Sequence, residues 1–147
     1  MKKINITALL VLLLITSFPI FAQSASSKDE SFTIEGYYKV KWGHQQEFLE
    51  LYKKNHYPLL KKAIEKGDLL SIKLEKTLQH GTEDGRWDYR VTLVFKNVQA
   101  TFDPNLTEPY KKALYPDQTT FKKEESRRFE ILDAHWDIQV GKENLDK

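Results

Sequence analysis

Residues 32–42 read FTIEGYYKVKW, and this stretch decides the fold class. Apolar and aromatic side chains occupy every second position except at Gly36, with polar side chains between them. A period of two is typical of a half-buried β-strand. Gly36 indicates either a bulge or a close approach by another part of the chain. Gly43 ends the strand.

An amphipathic helix is predicted after this strand, from about residue 44, with Gly67 as its C-terminal stop. Its apolar side is formed by Phe48, Leu51, Tyr52, Leu59, Ala63 and Ile64, and lysines dominate the opposite side.

Pro58 lies inside that helical pattern. Proline removes one helical hydrogen bond and crowds the preceding turn, so we expect a kink, or a split into helices 44–56 and 58–66. Asn55, His56 and Tyr57 then lie where the backbone bends and carbonyl groups are freed.

The remaining strands have the same period of two. Leu70, Ile72 and Leu74 mark one strand, residues 87–95 mark the next, and the polar link 79–86 between them contains two glycines, as a hairpin loop does. Three prolines divide residues 97–130, where Thr107 can open a brief helix and Asp117 can cap a longer one. Residues 132–140 alternate again and predict a last strand.

The predicted order is therefore β-α-β-β-α-β, an α+β ferredoxin-like fold with an antiparallel sheet covered by helices on one face. Alternation places Trp42, Leu70, Ile72, Leu74, Trp87, Trp136, Ile138 and Val140 in the core. It places charged residues on the other face: Glu35, Lys39, Lys41, Lys73, Glu75, Asp88, Arg90, Asp133, His135 and Asp137. That face is either an ordinary solvated surface or a polar lumen between two sheets of a homodimer.

With this order, the stretches YYKVK (37–41), EFLELY (47–52) and WDYRV (87–91), together with Tyr57-Pro58, resemble the dimeric α/β-barrel superfamily. That superfamily holds antibiotic-biosynthesis-type monooxygenases and haem-degrading monooxygenases, and the resemblance covers about residues 32–140. It implies the fold and the pairing of two chains as a dimeric α/β barrel. It carries over no catalytic residue, because no catalytic set of either group can be matched here.

The N-terminus predicts export. Lys2 and Lys3 precede an uncharged apolar stretch that small residues end, which is the layout of a cleavable signal peptide over 1–22. The stretch is too short for a bilayer-spanning helix, so we expect no stable membrane anchor after cleavage. We expect a flexible leader over 23–31, one domain over 32–140 and a polar tail over 141–147. The product is predicted to be periplasmic or secreted.

Charge and cysteine content exclude several classes of function. Cleavage after residue 22 removes two lysines and balances 21 basic against 21 acidic residues, so nothing favours nucleic acid as a partner. The chain has no cysteine, which excludes thiolate nucleophiles, iron–sulfur clusters and thiolate zinc sites. No particular cofactor is indicated.

Six residues are candidates for ligand binding. A histidine at a proline kink, in the cluster Asn55, His56 and Tyr57, can move a proton near neutral pH or can satisfy a freed carbonyl. His135 and Asp137 lie two residues apart, and with Asp133 they can orient a base or begin a metal site; a plain polar face explains them better than a metal does. Arg90 can hold a carboxylate or phosphate, or pair with Glu35 or Asp88.

Three hypotheses remain open. The first is an exported small-ligand-binding protein, a homodimer with a pocket between the sheet and the kinked helix. The second is a cofactor-independent or haem-modifying monooxygenase-like enzyme that uses His56 or His135. The third is a structural partner of another envelope protein.

Overall fold

The structure is a computed structural model that describes residues 30–79 and 81–146. The predicted signal peptide and most of the predicted leader lie outside these residues. The elements are β1 (Phe32–Val40), α1 (Gln45–Leu51), a π-helical turn (Tyr52–His56), α2 (Tyr57–Lys66), β2 (Leu69–Lys76), β3 (Tyr89–Phe95), α3 (Val98–Thr101), α4 (Glu108–Leu114), α5 (Gln118–Glu130) and β4 (Leu132–Val140).

The four strands form one antiparallel sheet in the order β2-β3-β1-β4. This is the ferredoxin-like arrangement, and it confirms the predicted fold class, including β1 between β3 and β4. Asp117 caps α5 as predicted, since its Oδ1 accepts hydrogen bonds from the amides of Thr119 at 3.1 Å and Thr120 at 3.0 Å. Among the described residues, no helix is both long enough and apolar enough to cross a membrane.

The core lies between the sheet and the helices. Most of its side chains come from β1, β3 and the first helical region, because each of these elements presents one apolar side at its own period. The buried cluster consists of Tyr38, Val40, Phe48, Tyr52, Leu60, Ala63, Leu69, Tyr89, Val91, Phe95, Ala100 and Ile131.

The predicted core face of β4 is wrong. Leu132 pairs with Val40, but Lys39 already pairs with Ala134, so Asp133 is an extra residue in β4 and forms a β-bulge. Because side chains alternate strictly, one extra residue turns every later side chain to the other face. The side chains turned away from the helices are those of Ala134, Trp136, Ile138 and Val140.

Exposure does not distinguish the two faces of β4, because every residue from Asp133 to Val140 is exposed. Trp136 is 37% exposed, Ile138 45% and Val140 42%, although all three were predicted to be buried. His135 pairs with Tyr38 and Asp137 with Gly36, so both polar residues lie on the helix side and not in a lumen between two sheets.

Three further core predictions fail. The pairing of β2 with β3 is irregular between Leu69 and Ser71, so Leu69 is buried and Leu70 is 54% exposed. Trp42 lies beyond the end of β1 and is 60% exposed. Trp87 precedes β3, and its ring contacts Tyr37, a residue of the open face.

Arg86 holds the β4 bulge in place. Its side chain is 4% exposed, and its Nη1 donates to the Val40 carbonyl at 3.0 Å and to Asp88 Oδ2 at 2.7 Å. Its Nη2 lies 3.3 Å from Asp133 Oδ2. Asp88 Oδ2 also accepts from the Val40 amide at 2.8 Å. Side chains from the end of the β2–β3 link therefore satisfy both backbone groups of Val40, where the bulge interrupts the regular register.

Candidate functional site

The helix after β1 bends through a π-helical turn, Tyr52–His56, directly before Pro58. Pro58 has no N–H to donate to the carbonyl of Lys54, four residues earlier. The Tyr115 hydroxyl lies 2.9 Å from both the Lys54 and the Asn55 carbonyl oxygens and satisfies the freed backbone. The disruption predicted at Pro58 takes the form of a π-helical turn between α1 and α2, and a turn of this kind is frequent at functional sites.

A cavity of about 180 Å³ lies between this bend and β2. It is lined by Tyr52, Lys53, Tyr57, Ile72 and Leu74. Apolar atoms dominate its walls, as they do in most small-molecule sites. Tyr57 is the only one of the six candidates that lines it.

Tyr52 lines the cavity and also belongs to the buried core cluster. Its side chain is 2% exposed, and its hydroxyl has no hydrogen-bond partner in the described part of the chain. Burial raises the pKa of this tyrosine, so its hydroxyl stays protonated and able to donate. A buried hydroxyl without a partner costs roughly 1–3 kcal/mol, which is unusual in a native core.

The Asn55 side chain makes a structural hydrogen bond and is not exposed to a ligand. It is 1% exposed, and its Nδ2 donates to Glu124 Oε2 at 2.9 Å. Lys54 Nζ reaches Oε1 of the same glutamate at 2.6 Å. Both residues fix the π-helical turn to α5.

His56 faces the other side of the bend, toward α5 and β4. Its ring lies 5.1 Å from that of Tyr52, centroid to centroid. Burial, and after it the nearby Arg128 guanidinium, lower the pKa of His56 to about 4. The imidazole is therefore neutral at physiological pH, where it can accept a proton only weakly.

His135 and Asp137 lie on β4 beside Gly36. His135 Nδ1 is 2.8 Å from the Tyr37 carbonyl oxygen, and the imidazole stacks on Tyr38 with ring centroids 4.2 Å apart. A Cβ at position 36 would come within 2.8 Å of Asp137 Oδ1. Gly36 therefore marks a close approach, one of the two interpretations of its place in the sequence.

Tyrosines connect the two histidines. The Tyr38 ring stacks on His135 and meets the Tyr52 ring edge-on at 6.0 Å, and Tyr52 in turn contacts His56. The structure thus brings these two candidates into one row of four rings on the helix side of the sheet. Burial raises the pKa of Tyr38 to about 12.

No group of three or more histidines and carboxylates in the described ranges is arranged to hold a metal ion. The residues weighed as further ligands are occupied elsewhere. Asp133 and Asp88 contact Arg86, and Glu35 accepts a hydrogen bond from the Tyr37 hydroxyl at 2.6 Å on the open face.

Arg90 is separate from the other candidates. It lies on the open face, where its Nη2 is 2.6 Å from Glu75 Oε2 and its Nη1 is 3.6 Å from Glu35 Oε1. Of its two expected partners, Glu35 is found and Asp88 is not. With two carboxylates beside it, Arg90 is not an open site for an anion.

Larger openings occur elsewhere, and none of the six candidates lines them. One opening of about 540 Å³ is lined by residues 30–33, 97–99 and 139–142, and its walls are mainly polar. Another, of about 640 Å³, lies between α4 and α5. The smaller cavity beside the π-helical turn is the better candidate because it is mainly apolar and includes a candidate residue.

Sequence reasoning missed Tyr52, Lys53, Ile72 and Leu74 as a site. Tyr52, Ile72 and Leu74 were assigned to the core, and Lys53 to a solvated helix face. The available signal was Pro58, because a bend in a helix that packs on a sheet leaves space beside the bend.

No protein-family model matches the chain, and no curated protein matches it significantly. Solved structures do. The chain is similar to a Fusobacterium nucleatum protein named as a candidate monooxygenase, at 13% identity and a TM-score of 0.48, over 76% of this chain and 42% of that one.

Two further similar structures cover most of their own chains. A Nitrosomonas europaea protein, named as a candidate antibiotic biosynthesis monooxygenase, matches at 11% identity and a TM-score of 0.48, over 76% of this chain and 89% of its own. A dimeric Bacteroides fragilis protein of unknown function with a ferredoxin-like fold matches at 10% identity and 0.45, over 75% and 94%. The likeness is one of fold, as the sequence resemblance implied, and it assigns no activity.

Proposed function

We propose that this chain is an exported protein that binds a small ligand and works as a homodimer. The observation that carries the proposal is the apolar cavity beside the π-helical turn, lined by Tyr52, Tyr57, Ile72 and Leu74 with Lys53. A cavity of 180 Å³ suits a compact ligand, since an engineered cavity of about 150 Å³ holds benzene.

The open face of the sheet supports the homodimer. Its β4 side carries Trp136, Ile138 and Val140 in a row, and Trp136 stacks on Tyr37 with ring centroids 5.4 Å apart. On the β2 side, Arg90 is already paired with Glu75 and Glu35. A second copy can therefore cover apolar side chains without burying an unpaired arginine, which is the costly case.

Export rests on the N-terminal sequence alone. The uncharged stretch between Lys3 and the small residues at Ala22, Ser24 and Ala25 is the supporting observation. A ligand-binding protein in the periplasm or medium meets nutrients and signals before the cytoplasm does, and it can work without a cofactor or an energy source.

Native mass spectrometry with an absorbance spectrum tests all three parts. The full chain is expressed in an export-competent host, and the exported product is purified. We expect a dimer whose subunits begin at Gln23 and which carries extra mass from a small ligand. An uncleaved or retained chain would overturn export, and a monomer would overturn the homodimer. A product that neither carries nor takes up any small apolar molecule would overturn ligand binding.

A second candidate is an enzyme of the monooxygenase or haem-modifying type. The row of rings from His56 through Tyr52 and Tyr38 to His135 favours it, because it brings two imidazoles beside two phenols, the kinds of side chain that act as general acids and bases. A chromophore in the purified protein, with an activity that His56→Ala abolishes, would place this candidate first. Unchanged ligand uptake in that variant favours binding alone.

A further inference from the structure

The lysines of the kinked helix differ in their partners. Lys54 pairs with Glu124, Lys62 with Glu65 and Lys66 with Asp68, at 2.6, 2.6 and 2.7 Å. Lys53 and Lys61 form no ion pair with any residue of the described ranges. These two are the lysines beside the cavity.

One of these lysines lines the cavity, and the other lies close to a lining residue. Lys53 is one of its lining residues, and Lys61 Nζ lies 5.9 Å from the centroid of the Tyr57 ring, another lining residue. Tyr57 is 38% exposed and Lys53 is exposed, so this rim is open to solvent. The interior, by contrast, is formed by Tyr52 and the inward-facing side chains of β2.

An apolar interior with one unpaired lysine in its lining and a second near the Tyr57 ring has a definite preference for its ligand. The interior favours a hydrocarbon body of about one ring, given the volume that benzene needs. The rim favours an anion, and a carboxylate is the small anion that one lysine can bind as a point charge. An ammonium group on the ligand would be repelled by both lysines, and an uncharged ligand would gain nothing from them.

We propose that the cavity binds a monocarboxylate with a ring-sized apolar body. The body lies against Tyr52, Ile72 and Leu74, and the carboxylate pairs with Lys53, with Lys61 adding positive charge. The inference rests on the proposed ligand-binding function and adds the chemical class of the ligand. No bond is made or broken in this binding.

Three probes of nearly equal size test the class: phenylacetate, 2-phenylethanol and 2-phenylethylamine. Each is titrated into the ¹⁵N-labelled exported protein, and both the dissociation constant and the perturbed amides are recorded. We expect phenylacetate to bind at least about tenfold more tightly than 2-phenylethanol, as a charge-assisted contact allows, and the amine to bind most weakly. The perturbed amides should fall in residues 52–57 and 72–74.

Two variants separate the charge from the cavity. Lys53→Gln should remove most of the preference for phenylacetate and leave 2-phenylethanol unchanged. Lys123→Gln, at an exposed lysine of α5 that does not line the cavity, is the matched control and should change nothing. Leu74→Phe, which fills the cavity, should weaken all three probes, and its thermal unfolding shows whether it remains folded.

The outcomes separate the preference for a carboxylate from ligand binding itself. Equal affinities for the three probes at the cavity, or an unchanged preference in Lys53→Gln, would overturn the carboxylate class and leave ligand binding standing. Perturbed amides elsewhere would overturn the site. The absence of binding by all three probes to a folded dimer would overturn the class and, with a ligand-free native mass, the proposed function as well.

Discussion

The first and last strands of the sheet have the same sequence pattern and opposite outcomes. In β1 the even-numbered side chains, such as Tyr38 and Val40, face the helices as the alternation predicts. In β4 the matching apolar side chains, such as Trp136 and Ile138, face away from them. Asp133, the single extra residue at the bulge, makes the difference. Alternation in the sequence thus shows which side chains share one face of a strand. Which face of the sheet that is depends on contacts between residues far apart in sequence.

The largest effect is expected from removing the residue that holds the bulge. Arg86→Met leaves Asp88 and Asp133 near each other without the buried guanidinium, and it leaves the Val40 carbonyl without its donor. Breaking a buried ion pair by removing one partner costs about 3–5 kcal/mol, and we expect a loss of that size in the free energy of unfolding. Urea denaturation measures it.

The matched control is Arg127→Met. Arg127 contacts Glu47, but the two side chains are 43% and 39% exposed, and exposed pairs are worth about 1 kcal/mol or less. Equal losses in the two variants would mean that the buried contacts of Arg86 contribute no more to stability than an exposed ion pair does.

The next effect is the pH dependence of the free energy of unfolding. It arises mainly at His56, and His135 contributes because it lies on the helix side of the sheet. Burial and Arg128 lower the folded-state pKa of His56 from 6.5 to about 4, with His135 and Lys111 acting in the same direction and Glu125 against them. The folded state therefore binds fewer protons than the unfolded state. This stability is complete above pH 6.5 and is lost as the pH falls toward 4, by up to about 3 kcal/mol.

Urea unfolding at several pH values between 7.5 and 4.5 measures that slope. His56→Phe keeps a ring against Tyr52 and should flatten the slope across this interval. His135→Gln should make the slope slightly shallower, because it removes one of the charges that oppose protonation. A slope unchanged in His56→Phe would contradict the burial of this imidazole.

A smaller effect separates the two faces of β4 at neighbouring positions. Ile138→Lys places a charge in the proposed dimer interface, and Gln139→Lys places the same charge on the helix side. We expect the first to raise the dimer dissociation constant at least about tenfold, because a buried charge needs a partner, and the second to leave it unchanged. Light scattering over a dilution series measures both. Similar behaviour of the two variants would show that the open face is not the interface.

The smallest effect concerns Gly36. In Gly36→Ala the new Cβ crowds Asp137 Oδ1, the far end of a side chain that can swing away, so we expect a loss below about 1 kcal/mol. In an Asp137→Ala background the same change should stabilise by about 0.5–1 kcal/mol, since alanine is favoured over glycine inside a strand. A double-mutant cycle in urea measures the coupling. Additive changes would contradict the close approach.

Much of the site could be predicted in outline. Pro58 predicted the bend, because a missing N–H has a local consequence that any helix must accommodate. His56 and Tyr57 were therefore correctly placed beside freed carbonyls. Their separation to opposite sides of the bend could not be predicted, since it depends on the π-helical turn and on the packing of α5 against Asn55 through Glu124.

The sequence by itself determined the four strands and their order among the main helices, the disruption of the first helix at Pro58 and the capping of α5 by Asp117. These follow from periodicity and from the chemistry of single residues, which act within a few positions of the chain. Tertiary structure decided the register of β4, the burial of Arg86 and the cavity between Tyr52 and Leu74. The physical reason is that pairing between strands joins residues far apart in sequence, and one extra residue at a bulge reverses every side chain beyond it.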